Sequence, residues 1–416
     1  MIDLSKLIRP GDNIVWGQGC GEPLTLTEAL MEQRGGLGGV SVFLGASFSE
    51  TVKLEHSDCI RFTAIGGIAR NSVLAKAGAL DVVPVHVSTI PSLMASGALP
   101  VDVALVQVSP AGPDGRHSCG LVGDYVGEAM RRSRVVVAEI NEQVPYVLGS
   151  EIISLDKVDA VVRSDRPPVS LPTGAPNSVE TAIGQLVASC IPDHCVIQLG
   201  IGSVPMAVGS ALAHHRDLGV HSGVVGDWLV DLVEAGAITN RDKQIDRGIS
   251  VTGGLFGTKR LFDFAHHNPS LHLRPLSYTH SRAVLANFDS LYSVNSAVEV
   301  DITGQINAET VNGLHIGAVG GQVDFVRAAM SSPRGRSVIA LPATAQSGKR
   351  SRIVAKLSDS VVTTCRSDAD LVITEFGIAD LRGASLRQRA ERMIGIAHPD
   401  YRDLLRQRML ASPGLC

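Results

Sequence analysis

The chain has 416 residues, of which 44% are hydrophobic and 19% charged, and its formal net charge is −4. This composition is ordinary for a folded protein of two or three domains, and it excludes an intrinsically disordered chain. No block of Lys and Arg is present, so nucleic acid is not expected as a partner.

The first residues, MIDLSKLIRPGDNIVWG, lack the cationic start and the apolar core of a signal peptide. No apolar run is long enough to cross a bilayer. The seven cysteines form no Cys-x-x-Cys pair and no Cys/His spacing typical of zinc. We therefore expect a cytoplasmic protein with reduced thiols, no metal and no membrane association.

In chain order, runs rich in Val and Ile alternate with segments of helical periodicity. The apolar runs are VSVFLG, VDVALVQVS, SRVVVAEIN, HCVIQLG, RSVIALP and ADLVITEFG. Continuous runs of this kind are typical of strands that are buried on both faces of a parallel sheet. LTLTEALMEQ and SLRQRAERMI have the spacing of helices. The alternation predicts an α/β fold.

A stretch rich in Pro, Ser and Gly, RSDRPPVSLPTGAPNS, interrupts this alternation and predicts an interdomain linker. Each half begins with an apolar strand that runs into Gly-x-Gly and then Pro, in NIVWGQGCGEP and in CVIQLGIGSVP. We predict two similar α/β domains with parallel-rich sheets, comprising residues 1–165 and 179–416 and joined by residues 166–178. Two such halves would leave a ligand cleft between them.

Two glycine-rich loops are candidates for binding. QLGIGSVP and GAVGGQVDF would expose backbone N–H groups to a phosphate or to an oxyanion. A tight turn is the alternative interpretation of each loop. Glu22, in GCGEP, either complements the dipole of a following helix or presents its carboxylate to the cleft.

Many ordered motifs together resemble the acetyl-CoA hydrolase/transferase family of class I CoA-transferases, and they are most similar to its 4-hydroxybutyrate CoA-transferase branch. They are GCGEP, VQVSPAGPDG, VVVAEIN, QLGIGSVP, DLGVHS, DLVEAGAITN, VDITGQINAE, GAVGGQVDF, SRIV, VITEFGIADLRG and IAHPDYR. The resemblance implies an enzyme, a homodimer or homotetramer, and a CoA thioester bound between two domains, the second of which binds CoA. Position by position, it implies cofactor contacts at Gly200, Ile201, Gly202, Ser203, Val204, Val298, Gly320 and Gly321.

The resemblance also implies a catalytic glutamate in a loop of the form His-Ser/Thr-Glu-Met. That carboxylate would form an acyl-glutamyl anhydride and then a glutamyl-CoA thioester. Here the sequence is His-Ser-Gly-Val, so Gly223 stands at the nucleophile position. His221 and Glu22 are candidate general bases, and Asp227 is a weak candidate for a substitute nucleophile. His280 is a further departure, because the family is expected to carry Asn there.

Three hypotheses remain at this point. In the first, the enzyme binds acyl-CoA but does non-transferase chemistry, which is hydrolysis, C–C cleavage or decarboxylation. In the second, it is an acyl-CoA:carboxylate CoA-transferase with a relocated nucleophile, such as Asp227. In the third, it is a non-catalytic acyl-CoA-binding subunit.

Overall fold

The structure, a computed structural model, describes residues 2–412. The N-terminal part is built on one parallel sheet. Its strands, including the short pair β6 and β8, are β1 Asn13–Trp16, β2 Val40–Leu44, β3 Ile60–Ala64, β4 Leu80–Val82, β5 Val103–Val108, β6 His117–Ser118, β7 Val135–Asn141, β8 Ile152–Ile153 and β9 Ala160–Ser164. The sheet order is β4-β3-β2-β1-β5-β7-β9, and every pairing in it is parallel.

The C-terminal part is built on a second sheet, of order β13-β12-β11-β10-β14-β19-β23-β24. Only the β23–β24 pairing in it is antiparallel among the described residues. The strands of this part are β10 Val196–Leu199, β11 Gly219–Ser222, β12 Ser250–Thr252, β13 Leu271–Leu273, β14 Leu291–Asn295, β15 Glu299–Asp301, β16 Ile306–Asn307, β17 Thr310–Val311, β18 Leu314–His315, β19 Arg336–Ala340, β20 Thr344–Ala345, β21 Arg350–Ser351, β22 Ile353–Val354, β23 Leu371–Thr374 and β24 Gly377–Asp380.

Helices cover both sheets. They are α1 Leu24–Gln33, α2 Asn71–Lys76, α3 Ile90–Ser96, α4 Val126–Arg132, α5 Ser178–Ser189, α6 Ser203–Ala211, α7 Trp228–Glu234, α8 Lys259–Ala265, α9 Leu276–Thr279, α10 Arg282–Leu285, α11 Gln322–Ser331, α12 Leu386–Ile396 and α13 Pro399–Leu410. Across residues 2–412, none of these helices is long and apolar enough to cross a membrane.

The apolar runs form strands that are buried on both faces, as the sequence predicted. In β5, alternate side chains enter two different cores: Ala104 and Val106 pack in one, and Val103 and Leu105 in the other. Side chains alternate across a strand, so a run without polar interruption fits only a sheet that is covered on both sides.

The two sheets share one topology, which confirms the prediction of two similar domains. In each sheet the first strand lies in the middle, the next three sheet strands lie on one side and the later ones on the other. The order in which successive strands are added to the sheet therefore reverses between β1 and β5 and again between β10 and β14. The Gly-x-Gly segments that begin at Gly17 and Gly200 follow β1 and β10 directly. Ligands of open α/β sheets bind at such switch points.

Residues 165–177 contain no helix or strand, and α5 begins after the cap residue Asn177, whose side chain accepts from two backbone N–H groups. The domains then meet through backbone hydrogen bonds. Gly67 N donates to Gly317 O at 3.1 Å, and Val87 N donates to Gly320 O at 3.1 Å. These contacts hold the second glycine loop against the N-terminal domain.

Candidate functional site

The carboxyl ends of three neighbouring strands bring the first set of predicted residues together. Ser222 Oγ, at the end of β11, donates to Leu199 O at the end of β10 at 2.8 Å. Gln198 of β10 and Asn295 of β14 exchange side-chain hydrogen bonds of 3.1 and 3.4 Å. The loops that follow these strands therefore start side by side. They carry the Gly200 loop, Gly223 and the segment that contains Val298.

The loop after β10 is an open backbone surface at the start of α6. Gly202 has a φ of +105°, a conformation that side chains rarely adopt, and nothing lies within 4 Å of the Cβ position. Ser203 Oγ donates to the Glu180 carboxylate, Ile201 is half-buried and Val204 is buried. The exposed backbone at a helix N-terminus suits a phosphate or carbonyl oxygen. The CoA contacts of this loop stay a prediction, as do those of Val298, which is half-buried.

The second glycine loop leads into α11. Gly320 adopts a left-handed φ of +59°, which a side chain would disfavour. The Gly320 carbonyl accepts from Val87 N, whereas the N–H groups of Gly320 and Gly321 have no acceptor within residues 2–412. Two adjacent unbonded N–H groups at a helix N-terminus can stabilise an oxyanion. Their role at the thioester stays a prediction.

The side-chain position of Gly223 is already occupied. A Cβ placed there would lie 2.8 Å from Cε1 and 2.9 Å from Nε2 of His280, and 3.5 Å from Cε2 of Phe325. Carbon atoms in ordinary contact lie about 3.5–4.0 Å apart. Gly223 is therefore the residue that makes room for the His280 ring.

His280 lies between Gly223 and Gly321, the last glycine of the second glycine loop. It is 4% exposed, and a Cβ on Gly321 would lie 2.2 Å from its Nε2. Its Nδ1 is 2.9 Å from Thr279 Oγ1, and its ring packs on Phe325 with centroids 4.7 Å apart. Burial lowers the pKa of His280 to about 3, so the ring is neutral at pH 7. In the sequence His280 stands out only as a departure from the residue that the family resemblance implies, and that departure is the one signal that could have pointed to it.

His221, a candidate base, lies behind this site. It is completely buried, and its Nε2 is 3.0 Å from the Thr279 carbonyl oxygen, to which it must donate. Burial, and secondarily the nearby Lys243, lower the pKa of His221 to about 3. Its Nδ1 is sealed among protein atoms without a partner. This geometry supports the backbone at Thr279 and gives His221 no route to a ligand. Its role as a general base stays an untested prediction.

The two candidate carboxylates lie in other surroundings. Glu22 is buried, its Oε1 accepts from Thr27 Oγ1 at 3.0 Å, and burial raises its pKa. Asp227 Oδ1 accepts from Thr258 N at 3.1 Å and lies 2.7 Å from the Cβ position of Gly257. Neither residue is among the nearest neighbours of the Gly223 Cβ position. Their catalytic roles also stay untested, and these contacts do not favour them.

Half-buried apolar side chains from both domains pack on one core beside these loops. Those of the N-terminal domain come from loops after its strands, and those of the C-terminal domain flank the glycine positions of the site. They are Phe48, Ile68, Val85, Ile201, Val224 and Ala318. Apolar side chains from both domains therefore meet beside the glycine positions of the site.

A possible cation-binding group lies at the opposite, amino-terminal edge of the second sheet. His194, Asp217 and Asp242 place ligand atoms within 4.8 Å of one another. However, Arg241 Nη2 lies 2.6 Å from Asp217 Oδ2. The Arg241 guanidinium thus already compensates acidic charge at this edge. Because the group lies at the edge opposite the glycine loops, it takes no part in the candidate site.

Comparison with known proteins identifies the family of the chain. Residues 2–172 match the model of the acetyl-CoA hydrolase/transferase N-terminal domain, and residues 257–409 match that of the C-terminal domain. The chain is 38% identical over 397 residues to a 4-hydroxybutyrate coenzyme A transferase from Clostridium kluyveri, covering 94% of this chain and 92% of the relative. The chain belongs to the acetyl-CoA hydrolase/transferase family.

Solved structures of the family have the same fold. RipA from Yersinia pestis superposes with a TM-score of 0.93 at 32% identity, covering 98% of this chain and 95% of that one. A 4-hydroxybutyrate CoA-transferase from Porphyromonas gingivalis gives a TM-score of 0.83 at 33% identity, with the same coverage. These matches confirm the predicted family and two-domain α/β fold, and they support an enzyme that acts on acyl-CoA.

Proposed function

We propose that this protein hydrolyses an acyl-CoA thioester to the free acid and CoA, without a covalent glutamyl intermediate. One observation carries the proposal: at the position where the family resemblance places the nucleophilic glutamate, Gly223 has no side chain and the His280 ring fills the space. Water is then the remaining nucleophile for the thioester. The cytoplasmic location and the homodimeric or homotetrameric state implied by the resemblance are part of this proposal.

The contacts of the site disfavour transfer through a relocated nucleophile. An acyl-enzyme anhydride needs a carboxylate that can reach the thioester carbon. Asp227 instead accepts a hydrogen bond from Thr258 N, and the nearest side chains to the Gly223 Cβ position are those of His280 and Phe325. Removing a covalent nucleophile generally costs several powers of ten in rate.

No cation is among the side chains of the described residues that lie nearest to Gly223 and Gly321, which argues against decarboxylation and against transfer to a free acid. Both of those reactions place a substrate carboxylate in the cleft, and a buried carboxylate requires a cation or several hydrogen-bond donors. The side chains nearest to Gly223 and Gly321 are His280, Phe325 and Val87, and His280 is neutral. The apolar lining around them suits an uncharged, apolar acyl group.

The backbone also offers hydrogen-bond donors for the oxyanion that forms when a thioester is hydrolysed. The unbonded N–H groups of Gly320 and Gly321 can donate to the oxygen that becomes negative when water adds to the carbonyl carbon. Preorganised donors of this kind stabilise such a transition state by about 3–4 kcal/mol each.

The test is product analysis in the absence of any acceptor acid. Purified protein is incubated with acetyl-, butyryl- and hexanoyl-CoA in water enriched in ¹⁸O, and CoA and free acid are quantified by chromatography and mass spectrometry. We expect one ¹⁸O atom in the acid for each CoA released and no increase in CoA turnover on adding acetate. Turnover that requires acetate, or an enzyme-bound species trapped by borohydride or hydroxylamine, would establish transfer instead.

A further inference from the structure

Resting on the proposed hydrolysis, we infer that His280 is its general base and general acid, and that Thr279 orients the His280 ring. His280 thus takes over, with different chemistry, the place that the resemblance gives to the glutamate carboxylate. The inference depends on the hydrogen bonds of Thr279, on the position of Nε2 between two glycines and on the balance of protons in the reaction.

The contacts of the Thr279 hydroxyl group bear on which nitrogen of the His280 ring carries the proton. Thr279 Oγ1 lies 3.3 Å from the Pro275 carbonyl oxygen, which can only accept. We assign the hydroxyl proton of Thr279 to the Pro275 carbonyl oxygen, so that Oγ1 accepts the Nδ1–H of His280 at 2.9 Å. This arrangement leaves the lone pair of His280 on Nε2.

Nε2 borders the place that the proposed hydrolysis gives to the reacting water. It is 2.9 Å from the Cβ position of Gly223 and 2.2 Å from that of Gly321. It has no hydrogen-bond partner in the part of the chain that the structure describes, yet it is not sealed inside the protein, as Nδ1 of His221 is. The same atom thus borders the nucleophile position and the loop whose N–H groups are unbonded.

Supporting contacts keep the ring in this place. His221 donates from Nε2 to the Thr279 carbonyl oxygen at 3.0 Å, and Phe325 packs against the His280 ring. Burial disfavours the imidazolium form of His280, as its pKa of about 3 shows. The free enzyme therefore holds the basic form of His280 over the whole neutral range. A neutral imidazole with so low a pKa is a weak base, so a substrate oxyanion beside the ring has to stabilise the imidazolium that forms during the reaction.

The proton balance closes without another reactant. Nε2 takes a proton from water as the water oxygen bonds to the thioester carbon, which gives an imidazolium and a tetrahedral oxyanion. The C–S bond then breaks, and the departing sulfur takes the proton from Nε2. The products are the carboxylic acid, which ionises in solution, and CoA thiol, and His280 is neutral again.

The test compares four variants in the ¹⁸O assay, with their folding checked by thermal unfolding and their CoA-ester binding by calorimetry. His280→Gln and His280→Ala should lower kcat by about 10²–10⁴-fold while CoA-ester binding is retained. Added imidazole should restore part of the activity of His280→Ala. Thr279→Val should lower kcat and Thr279→Ser should preserve it, because only serine keeps the hydroxyl acceptor for Nδ1–H.

A matched control and a spectroscopic readout separate the outcomes. His272 lies on edge strand β13, away from Gly223 and Gly321, and is half-buried. His272→Gln should therefore keep full activity. Nitrogen NMR of labelled protein should show His280 protonated at Nδ1 and not at Nε2. A wild-type protein that hydrolyses thioesters while His280→Gln is equally active would overturn this inference and leave the proposed function standing. A wild-type protein that releases no CoA would overturn both.

Discussion

Replacing Gly223 with a larger residue should destabilise the protein because the new side chain would clash with the His280 ring. Shortening His280 should restore part of the lost stability. A Cβ at position 223 would lie 2.8 Å from Cε1 and 2.9 Å from Nε2 of His280, about 0.7 Å or more inside ordinary carbon contact. The φ of Gly223 is not left-handed, so the penalty is steric. Overpacking of this kind costs about 1–3 kcal/mol, which corresponds to a fall in melting temperature of roughly 2–12 °C.

A double-mutant cycle measures the coupling free energy between the substitutions at positions 223 and 280. Gly223→Ala, His280→Asn and the double variant are compared by thermal unfolding, with Gly226→Ala as the control. The Gly226 Cβ position has its nearest neighbours at 3.4 and 3.5 Å, which is ordinary contact, and none of them is His280. We expect a favourable coupling of about 1 kcal/mol or more for positions 223 and 280, and none for 226 and 280.

The same pair controls the gain of transferase activity. Gly223→Glu alone should gain no acyl transfer to acetate, because the His280 ring occupies the space of the new side chain. Gly223→Glu combined with His280→Asn should form an acyl-enzyme species that hydroxylamine cleaves. Additive stabilities in the cycle, or full transfer by the single Glu variant, would refute the steric reasoning.

Three further outcomes follow from the described contacts. His221 and His280 have pKa values of about 3 when folded and about 6.5 when unfolded, so the unfolded chain binds more protons between these values. The contribution of the two neutral histidines to the free energy of unfolding should therefore be complete above about pH 6.5. Below that pH it should fall by about 1.4 kcal/mol per pH unit and per histidine. In denaturant titrations, the His280→Asn variant should show roughly half of this acid sensitivity. Gly202→Ala, at a φ of +105°, should weaken binding of a CoA ester by about tenfold or more, or about 1.4 kcal/mol, and unchanged calorimetric affinity would exclude this loop from the cofactor site. Asp227→Asn keeps the Oδ1 acceptor for Thr258 N and should hydrolyse thioesters within about twofold of wild type, whereas a large loss would restore Asp227 as a nucleophile.

Much of the fold was available from the sequence because it depends on local patterns. Unbroken Val and Ile runs predict strands that are covered on both faces. The stretch predicted as a linker, residues 166–178, overlaps residues 165–177, which contain no helix or strand. The Gly-x-Gly segments after β1 and β10 predicted two related halves, because each segment forms the turn from a central strand into a helix. The family followed from the order of many short motifs, and with it an acyl-CoA as the expected substrate.

The identity of the group beside the reacting atom was decided only by the tertiary structure. Position 280 is 57 residues beyond Gly223 along the chain, and no periodicity or spacing connects the two. Their contact exists because α9 packs behind the carboxyl end of β11 and because Gly321, on a third segment, has no side chain. For the same reason His221 and Glu22, which looked reactive beside their glycine motifs, lie with their polar atoms turned into local hydrogen bonds. Sequence shows which residue types are present, and three-dimensional packing decides which of their atoms can meet a substrate.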